Sequence, residues 1–513
     1  MVLTPLSEAA RNSPHTSATI QKPGGLEQAY SGLSDSGCHL DLLEQPAKLP
    51  SLASVSFELD FVPVGAGVSG INAAHRIQTQ FPNFSYIILE ARDQIGGTWD
   101  LFKYPGIRSD SDLYTFGFPW RLWSSEKAIA DGPAIKKYMV ESAKEFGIDK
   151  KILFGHRLVS ADWSSKNKVW SLDVHVRGGE SRAVRAGFVL YGSGYYDYEE
   201  PLKAVIPGLE NFKGKVIHPQ FWPEDLDYTN KRVLIIGSGA TAVTLLPVLA
   251  EKAASVTMLQ RSPTYILSAP AKDVGSWVRN LLLSYIFCRA FPALATRLIK
   301  ADTVKLLPEH IKQDPNFKPA YNPWEQRLCI CPDGDFYKAL RENNGNVATD
   351  TIQSVTSTGI MTTGGTHLEA DIIITATGLK MRIVGGARIS VDGTVLRISV
   401  KFIWKGTMVQ DIPNTAFLLG YTNASWTLGA EASIQLMCGV IRSMIKRGTL
   451  SACARVQPGV ELKPRSMMNL SSTYIKVGGG ILPKAGDGGP WLARSNYLRD
   501  LWNAKFGDIT ELG

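Results

Sequence analysis

One pattern occurs twice in this sequence: a short apolar run, a glycine-rich turn and then a helical stretch. The first copy joins residues 61–64 to G-x-G-x-x-G at 65–70. The second joins residues 233–236 to residues 237–242, where Ala242 replaces the third glycine. Such a turn lets the backbone approach a pyrophosphate, and the helix after it presents unpaired N–H groups and a partial positive charge. The repeat predicts an α/β fold with two dinucleotide-binding (Rossmann-like) domains.

The first copy has every part of the dinucleotide fingerprint. Gly65 permits the tight turn, Gly67 admits the pyrophosphate, and Gly70 lets the helix pack closely on the strand. A second apolar strand at 86–89 ends on Glu90, where a carboxylate can accept hydrogen bonds from ribose hydroxyls. These features together predict a nucleotide site, whereas a plain glycine-rich turn would need neither the second strand nor the acid.

The second copy ends differently. Its second strand, 256–259, is followed by Gln260, Arg261 and Ser262, so an arginine and a hydroxyl stand where the first copy has its acid. A carboxylate there would repel a 2′-phosphate, whereas a guanidinium can bind it in bidentate fashion. The sequence therefore predicts NADPH rather than NADH at this site.

Two dinucleotide sites in one chain indicate that electrons pass from a nicotinamide to a bound flavin, and we expect FAD at the first site. The six cysteines form no C-x-x-C pair and no zinc-type spacing, which disfavours a disulfide reductase and a metal site. Oxygen is then the natural acceptor. Sparse cysteines also favour a reducing, cytoplasmic compartment.

Composition limits the alternatives. The formal net charge of +8 comes without a dense Lys/Arg run, which fits an enzyme that handles phosphates better than a nucleic-acid partner. Residues 1–54 are rich in Ser, Pro, Gly and Gln and predict a disordered extension. The apolar stretch Leu281–Ile299 is interrupted by Arg289, Pro292 and Arg297 and is too short to span a membrane. Peripheral membrane contact there stays open but is not predicted, and the oligomeric state is undetermined.

The order of these patterns predicts a discontinuous FAD domain built from 57–200 and 375–513, with residues 371–378 as the strand and turn that lead back into it. The NADPH domain is predicted at 210–370, with a helical excursion at 275–312.

The segment between the two sites reads F-x-G-x-x-x-H-x-x-x-W-P over residues 212–223, formed by Phe212, Gly214, His218, Trp222 and Pro223. It resembles the fingerprint of type I Baeyer–Villiger monooxygenases. The related flavin-containing monooxygenases usually have Tyr in place of that Trp. Further segments resemble the ethionamide-activating type of FAD-containing monooxygenase, namely 96–101, 104–112, 237–243, 321–327 and 420–426.

The resemblance implies a set of site residues. FAD contacts are expected from Ser69, Glu90, Thr98, Trp99, Asp100 and Leu101. NADPH contacts are expected from Arg108, Ser109, Asp110, Gly237, Ser238, Gly239, Ala240, Thr241, Ala242, Val243, Arg261 and Ser262. Arg327 matches the active-site arginine of the family, and Asp110 is expected beside the flavin, where it positions Arg327. His218 and Trp222 are expected to couple the domain linker to the moving NADP⁺. Gln326 stands where many members have Lys, so binding of the 2′-phosphate is expected to rest more on Arg261.

The resemblance also implies a reaction, the conversion of a ketone and O₂ into an ester or lactone through a C4a-peroxyflavin. A guanidinium at Arg327 favours an anionic, nucleophilic oxygen, which suits carbonyls. Oxygenation of sulfur or nitrogen is the alternative, and Trp222 and Arg327 favour the ketone reaction. A third reading is a catalytically degenerate flavoprotein. Its only support is Pro63, which removes an N–H from the first strand and predicts that this strand starts late or is distorted.

Overall fold

The structure is a computed structural model that describes residues 59–272, 277–326, 328–342, 344–421, 424–468, 472–494, 496–509 and 512. The predicted extension at 1–54 and the predicted catalytic Arg327 lie outside the described residues. The described residues belong to one compact unit.

The larger sheet contains the first glycine-rich turn. Its central strands are parallel and fully or nearly fully buried, which explains their continuous apolar sequence. In spatial order its strands are Thr394–Val395, Arg388–Val391, His156–Ser164, Val169–Val176, Ser181–Tyr191, Leu59–Val64, Ile88–Glu90 and Ile152–Phe154, and Thr415–Phe417 also pairs with Ser181–Tyr191.

The second sheet contains the second turn and is parallel throughout. In spatial order its strands are Gly345–Thr349, Ser255–Gln260, Arg232–Ile236, Ile372–Thr375 and Lys215–Ile217. Smaller sheets are formed by Tyr265–Ala269 with Leu328–Pro332, by Ile352–Thr356 with Gly359–Thr362 and His367–Glu369, by Ile403–Trp404 with Met408–Val409, and by Arg465–Ser466 with Lys484–Ala485.

The strand Ile372–Thr375 was expected to lead back into the first domain. It lies instead in the second sheet, between Arg232–Ile236 and Lys215–Ile217. An apolar parallel strand reads the same in either sheet, so its sequence did not decide between them. The chain returns to the larger sheet only after Thr375, through Arg388–Val391 and Thr415–Phe417. The first domain is therefore discontinuous, as predicted.

Helices cover both sheets. Several begin at a polar residue whose side chain accepts a hydrogen bond from the first turn, as Asp112, Asp131 and Asn496 do. The described α-helices are Val68–Gln80, Thr98–Leu101, Leu113–Phe116, Gly132–Glu145, Ala240–Ala250, Trp277–Ala290, Pro292–Leu306, Gln313–Asn316, Asp335–Glu342, Trp426–Arg447, Thr473–Gly478 and Tyr497–Phe506.

The predicted helical excursion is present as the pair Trp277–Ala290 and Pro292–Leu306. Among the residues that the structure describes, no helix is both long enough and apolar enough to cross a bilayer.

Pro63 neither delays the first strand nor shortens it, because the strand runs from Leu59 to Val64 with Pro63 buried inside it. Phe61 donates to the carbonyl of Ser85 at 3.1 Å and Gly65 donates to that of Leu89 at 2.7 Å. Alternate residues of a strand face the same neighbour, so Pro63 omits the one rung between these two bonds. The expected disturbance is therefore confined to that rung, and pairing with Ser181–Tyr191 continues past it.

Candidate active site

The first glycine-rich turn is packed so closely that only glycine fits at two of its positions. Gly65 has φ +100°, in the left-handed region. A Cβ on Gly70 would lie 1.8 Å from the carbonyl oxygen of Gly65. Gly67 is extended and precedes the helix Val68–Gln80, whose first N–H groups have no partner within the helix. The turn therefore offers backbone donors without side chains in front of them, which fits a pyrophosphate.

Glu90 holds this turn in place by accepting a hydrogen bond from its backbone. Its Oε2 accepts a hydrogen bond from the N–H of Ala66 at 2.6 Å, and its Oε1 accepts one from the N–H of Arg92 at 2.8 Å. The side chain is buried, and burial raises the pKa of its carboxyl although both backbone bonds act in the opposite direction. Each carboxylate oxygen can accept a second hydrogen bond. Glu90 thus keeps acceptor capacity, and the ribose contact that the sequence predicts for it stays a prediction.

The segment after Gly97 contributes one wall of the site. Thr98 Oγ1 lies 3.0 Å from the hydroxyl of Tyr198, and the Trp99 ring packs edge-on against Phe116. Asp100 is buried and forms ion pairs with Arg92 and, at 2.7 Å, with Lys136. These cations and their hydrogen bonds lower the pKa of Asp100 despite its burial. Asp100 therefore holds the segment in place through its ion pairs. Leu101 packs against the core of the second domain.

Ser69 joins the first turn to the C-terminal part of the chain. Its hydroxyl donates to the carbonyl of Leu418 at 2.9 Å and accepts from the indole N–H of Trp426, also at 2.9 Å. No role is predicted for Trp426 from the sequence, although it ends one of the segments that carry the family resemblance. An indole donor beside a dinucleotide turn is visible only once the fold brings residues 69 and 426 together.

The second turn is more open. Gly237 has φ +137°, and a Cβ on it would lie 2.3 Å from the carbonyl oxygen of Ala376. Ser238 donates to the carbonyl of Ser262 at 2.8 Å. Gly239 precedes the helix Ala240–Ala250, and a Cβ there would meet nothing within 4 Å. Ala242 and Val243 are buried on the far side of this helix, where they support the turn.

Arg261 and Ser262 follow the second strand of this unit and are both exposed. They are close to the second turn, because Ser238 bonds to Ser262. A guanidinium in that place suits the 2′-phosphate that the sequence predicts.

Residues 108–110 connect the two domains. Arg108 forms a bidentate ion pair with Asp335, at the start of the helix Asp335–Glu342 in the second domain. Ser109 is buried, donates to the carbonyl of Ser111 at 2.7 Å and accepts from its N–H at 3.1 Å. The sequence missed Asp335, since nothing in its neighbourhood marks it as the partner of an arginine 227 residues earlier.

The fingerprint 212–223 contains the strand Lys215–Ile217 at the edge of the second sheet. Phe212 is buried, and a Cβ on Gly214 would lie 2.2 Å from the carbonyl oxygen of Asp371, so the glycine is required by packing. His218 Nε2 lies 3.3 Å from the carbonyl of Gly378, and its Nδ1 accepts from the N–H of Gln220 at 3.2 Å. Burial lowers the pKa of His218, partly offset by its bond to Gly378.

Trp222 is buried in the core of the second domain, together with Phe102 and Tyr104. Trp222 therefore anchors the fingerprint in the second domain, and His218 bonds to Gly378 in the segment by which the chain leaves that domain.

Both turns open into one cavity of about 1320 Å³. Of the predicted site residues, it is lined by Gly67, Ser69, Thr98, Trp99, Arg108, Ser109, Asp110, His218, Gly237, Ser238, Gly239, Ala240, Thr241, Arg261 and Ser262. Gly65, Gly70, Glu90, Asp100, Leu101, Phe212, Gly214, Trp222, Ala242 and Val243 do not line it. Gln326 lines it as well, whereas its neighbour Arg327 lies outside the described residues.

Comparison with known proteins gives two family matches. The Flavin-binding monooxygenase-like family matches residues 129–383, and the NAD(P)-binding Rossmann-like domain matches residues 64–128. The FAD-containing monooxygenase EthA of Mycobacterium tuberculosis is 43% identical over 475 residues, which are 89% of this chain and 97% of that protein. The probable FAD-binding monooxygenase AlmA of an Acinetobacter species is 42% identical, over 88% and 95% of the two chains.

Solved structures share the fold at lower identity. An oxidised steroid monooxygenase bound to NADP has a TM-score of 0.64 and 22% identity, over 78% of this chain and 88% of that chain. An open cyclohexanone monooxygenase has a TM-score of 0.64 and 19% identity, over 79% and 90%. These comparisons confirm the predicted fold, the oxygenase class and the predicted pair of a flavin and a nicotinamide dinucleotide. The chain belongs to the family of flavin-binding monooxygenases.

Proposed function

We propose that this protein is an NADPH-dependent Baeyer–Villiger monooxygenase that holds FAD at the first turn and oxidises a ketone to an ester or lactone. The observation that carries the proposal is the single cavity of about 1320 Å³ onto which both glycine-rich turns open. Two nucleotides bound there would bring their reactive rings together in one shared cavity. The related fold of proteins described as steroid and cyclohexanone monooxygenases supports the same class of reaction.

The residues present fit both cofactors. The cradle at Gly65 and Gly70 admits no Cβ, and Glu90 lies behind it with acceptor capacity for a ribose. At the second turn, Gly239 leaves open space for a pyrophosphate and Arg261 supplies a cation for the 2′-phosphate. When bound and reduced by the nicotinamide, the flavin supplies the activation of O₂.

The chain's own residues then position the reactants. Asp110 lines the cavity between the two turns, and Arg327 is proposed to act beside it. A fixed guanidinium favours negative charge on the oxygen that attacks a carbonyl. Such an interaction amounts to ~4 kcal/mol at 4 Å and an effective dielectric near 20. Arginine suits this role because it does not release its proton at neutral pH.

His218 and Trp222 are proposed to act as positioning residues. His218 contacts the carbonyl of Gly378, and Gly378 itself lines the cavity. His218 lines the cavity too, so a movement of this segment would reach the cavity wall directly as well as through the hydrogen bond to Gly378. We assign His218 no proton transfer in the reaction.

The test is oxidation of phenylacetone and of thioanisole under ¹⁸O₂ by the purified, FAD-loaded protein with NADPH. We expect an ester that carries one ¹⁸O atom, formed faster than the sulfoxide. Sulfoxide without ester would instead assign the protein to heteroatom oxygenation. If neither product forms although NADPH reduces the flavin, the oxygenase proposal is wrong.

The matched variants are Arg327→Ala and, as a surface control, Arg341→Ala. Arg327→Ala should lower ester formation at least about 100-fold, as expected for loss of an electrostatic stabiliser at the reacting atoms. Flavin reduction by NADPH under anaerobic conditions should stay within a few-fold of the parent rate. Equal loss of both half-reactions would contradict the role proposed for Arg327.

A further inference from the structure

A second cavity, of about 580 Å³, lies outside the site described above. It is an open cavity lined by the segment Asp197–Glu200, the segment Lys380–Ile389, the hairpin arm Val395–Ser399 and Gly480–Ile481. We call it the arginine cavity. Its wall is about half polar and half apolar, and the apolar part includes Ile383, Ile389, Val395, Leu396, Ile398 and Ile481.

Two arginines of this cavity face each other across a hairpin. The strands Arg388–Val391 and Thr394–Val395 pair in antiparallel fashion, with Ser390 opposite Val395. The N–H of Leu396 donates to the carbonyl of Ile389 at 2.9 Å, so these two residues keep the register, and Arg388 and Arg397 are the next residue on each arm. If the register extends by that one residue, the two arginines project from the same face with Cβ atoms about 5 Å apart, where like charges are unfavourable.

The other charges of the cavity are already matched. Asp197 pairs with Lys380 at 3.1 Å and with Arg382 at 3.4 Å. Glu200 pairs with Lys380, and Glu199 pairs with Arg382, both at 2.6 Å.

Glu199 also pairs with Arg157, just outside the cavity. Three carboxylates are thus matched by three cations. Within the described part of the chain, neither Arg388 nor Arg397 has an acidic side chain within ion-pair distance, and both are exposed. The cavity lining therefore carries four cationic and three acidic side chains, a local excess of one positive charge.

We propose that the arginine cavity binds an amphiphilic organic anion, a phosphate or carboxylate head with an apolar tail. The two guanidiniums would hold the anionic oxygens in bidentate fashion, which removes the repulsion between them. The tail would cover Val395 and Ile481, which are 55% and 37% exposed. The same head-group chemistry could come from a free metabolite or from a membrane lipid.

The arginine cavity shares two segments of the chain with the active-site cavity, so a ligand bound there could influence the active site. Lys380 follows Leu379, and Asp197 follows Tyr196; Leu379 and Tyr196 both line the larger cavity. The backbones of Asp197 and Lys380 are joined by a hydrogen bond of 2.8 Å. A ligand in the arginine cavity would therefore act on two hydrogen-bonded segments that line both cavities.

The test is calorimetric titration of octyl phosphate, below its micelle concentration, into protein saturated with FAD and NADP⁺. Saturation keeps the probe away from the dinucleotide sites. We expect binding at one site per chain, at least tenfold weaker for Arg388→Gln/Arg397→Gln and unchanged for the surface control Arg447→Gln. Inorganic phosphate should bind at least tenfold more weakly than octyl phosphate. Equal binding by the double variant, or equal binding of the two phosphates, would overturn the proposal.

A second variant guards against a folding defect. Arg397→Glu turns the opposed arginines into an oppositely charged cross-strand pair, so it should abolish octyl phosphate binding while raising the melting temperature. A lowered melting temperature would contradict the repulsion argued above. Co-sedimentation with phosphatidylglycerol vesicles separates the two sources. Binding that is lost in both variants assigns the site to a lipid head group, and no vesicle binding alongside octyl phosphate binding assigns it to a free anion.

Discussion

The two dinucleotide turns have nearly the same sequence pattern but differ in how firmly the protein holds them. The first is closed: Glu90 is 6% exposed and clamps the turn, and a Cβ on Gly70 would meet backbone at 1.8 Å. The second is closed at its first glycine, where a Cβ on Gly237 would lie 2.3 Å from a carbonyl oxygen, but Ala242 stands at the third glycine position, Gly239 faces free space and Arg261 is exposed. The difference fits a first site that keeps its nucleotide bound and a second site that exchanges it in each turnover.

Alanine substitutions at the glycines test the difference between the two turns. Gly70→Ala places a methyl group against a carbonyl oxygen that the strand holds in place, so we expect a loss of stability of roughly 3 kcal/mol or more and loss of bound FAD. The measurement is the melting temperature together with the flavin-to-protein ratio from absorbance.

Gly239→Ala is the comparison substitution in the second turn, at the position that corresponds to Gly67. Its backbone is extended, and a methyl group there meets no protein atom within 4 Å. We expect a melting temperature and FAD content like those of the parent, with a higher KM for NADPH because the methyl group enters the cavity. Similar destabilisation by both substitutions would remove the difference between the two turns.

Arg261→Ala tests the assignment of NADPH to the second turn. Loss of charge-assisted hydrogen bonds to a 2′-phosphate should raise the KM for NADPH ~10- to 100-fold and leave the KM for NADH nearly unchanged. Steady-state oxidation of the two nucleotides measures both values. An equal effect on NADPH and NADH would place the 2′-phosphate elsewhere.

The smallest expected effect is a loss of folding stability at acidic pH. His75, on the helix after the first turn, is stacked on Trp120, and burial lowers its pKa to about 4 from the ordinary value of 6.5. Between these values the unfolded chain binds a proton that the folded chain does not, so this residue's contribution to stability falls as the pH falls. We expect a loss of about 1–2 kcal/mol from pH 7 to pH 5.

Denaturant unfolding at the two pH values measures this loss. His75→Phe should reduce it, whereas substitution of the exposed His175 by Phe should leave it unchanged. The helix of the second site, Ala240–Ala250, contains no titratable residue, so no matching contribution is expected from it. An unchanged pH dependence in His75→Phe would show that other groups cause it.

Much of the fold was predictable because it rests on local patterns. The strand, turn and helix of each unit follow from apolar runs and glycines within about 30 residues, and both were found where the sequence placed them. The return of the chain was less predictable. Ile372–Thr375 is a buried apolar strand that suits either parallel sheet, and only its pairing with Arg232–Ile236 decides its place. The effect of Pro63 was also overestimated, since one rung can be lost without loss of the strand.

The site was predictable where a residue type is tied to a turn and not where two distant segments meet. Gly67, Gly239 and Arg261 line the cavity as their positions in the repeat suggest. The partners of Arg108 and Ser69, Asp335 and Trp426, are 227 and 357 residues away from them. Such contacts are set by how the domains pack, which leaves no trace in either local sequence.

We propose that one cavity brings the nicotinamide of NADPH to a flavin held by the first turn. Anaerobic stopped-flow mixing of the FAD-loaded protein with NADPH, followed by flavin absorbance, tests this arrangement. We expect rapid bleaching of the flavin in a single turnover, slower at equal concentrations of NADH and slowed for NADPH by Arg261→Ala. A flavin that stays oxidised, or one that NADH reduces as fast as NADPH in both proteins, would contradict the claim.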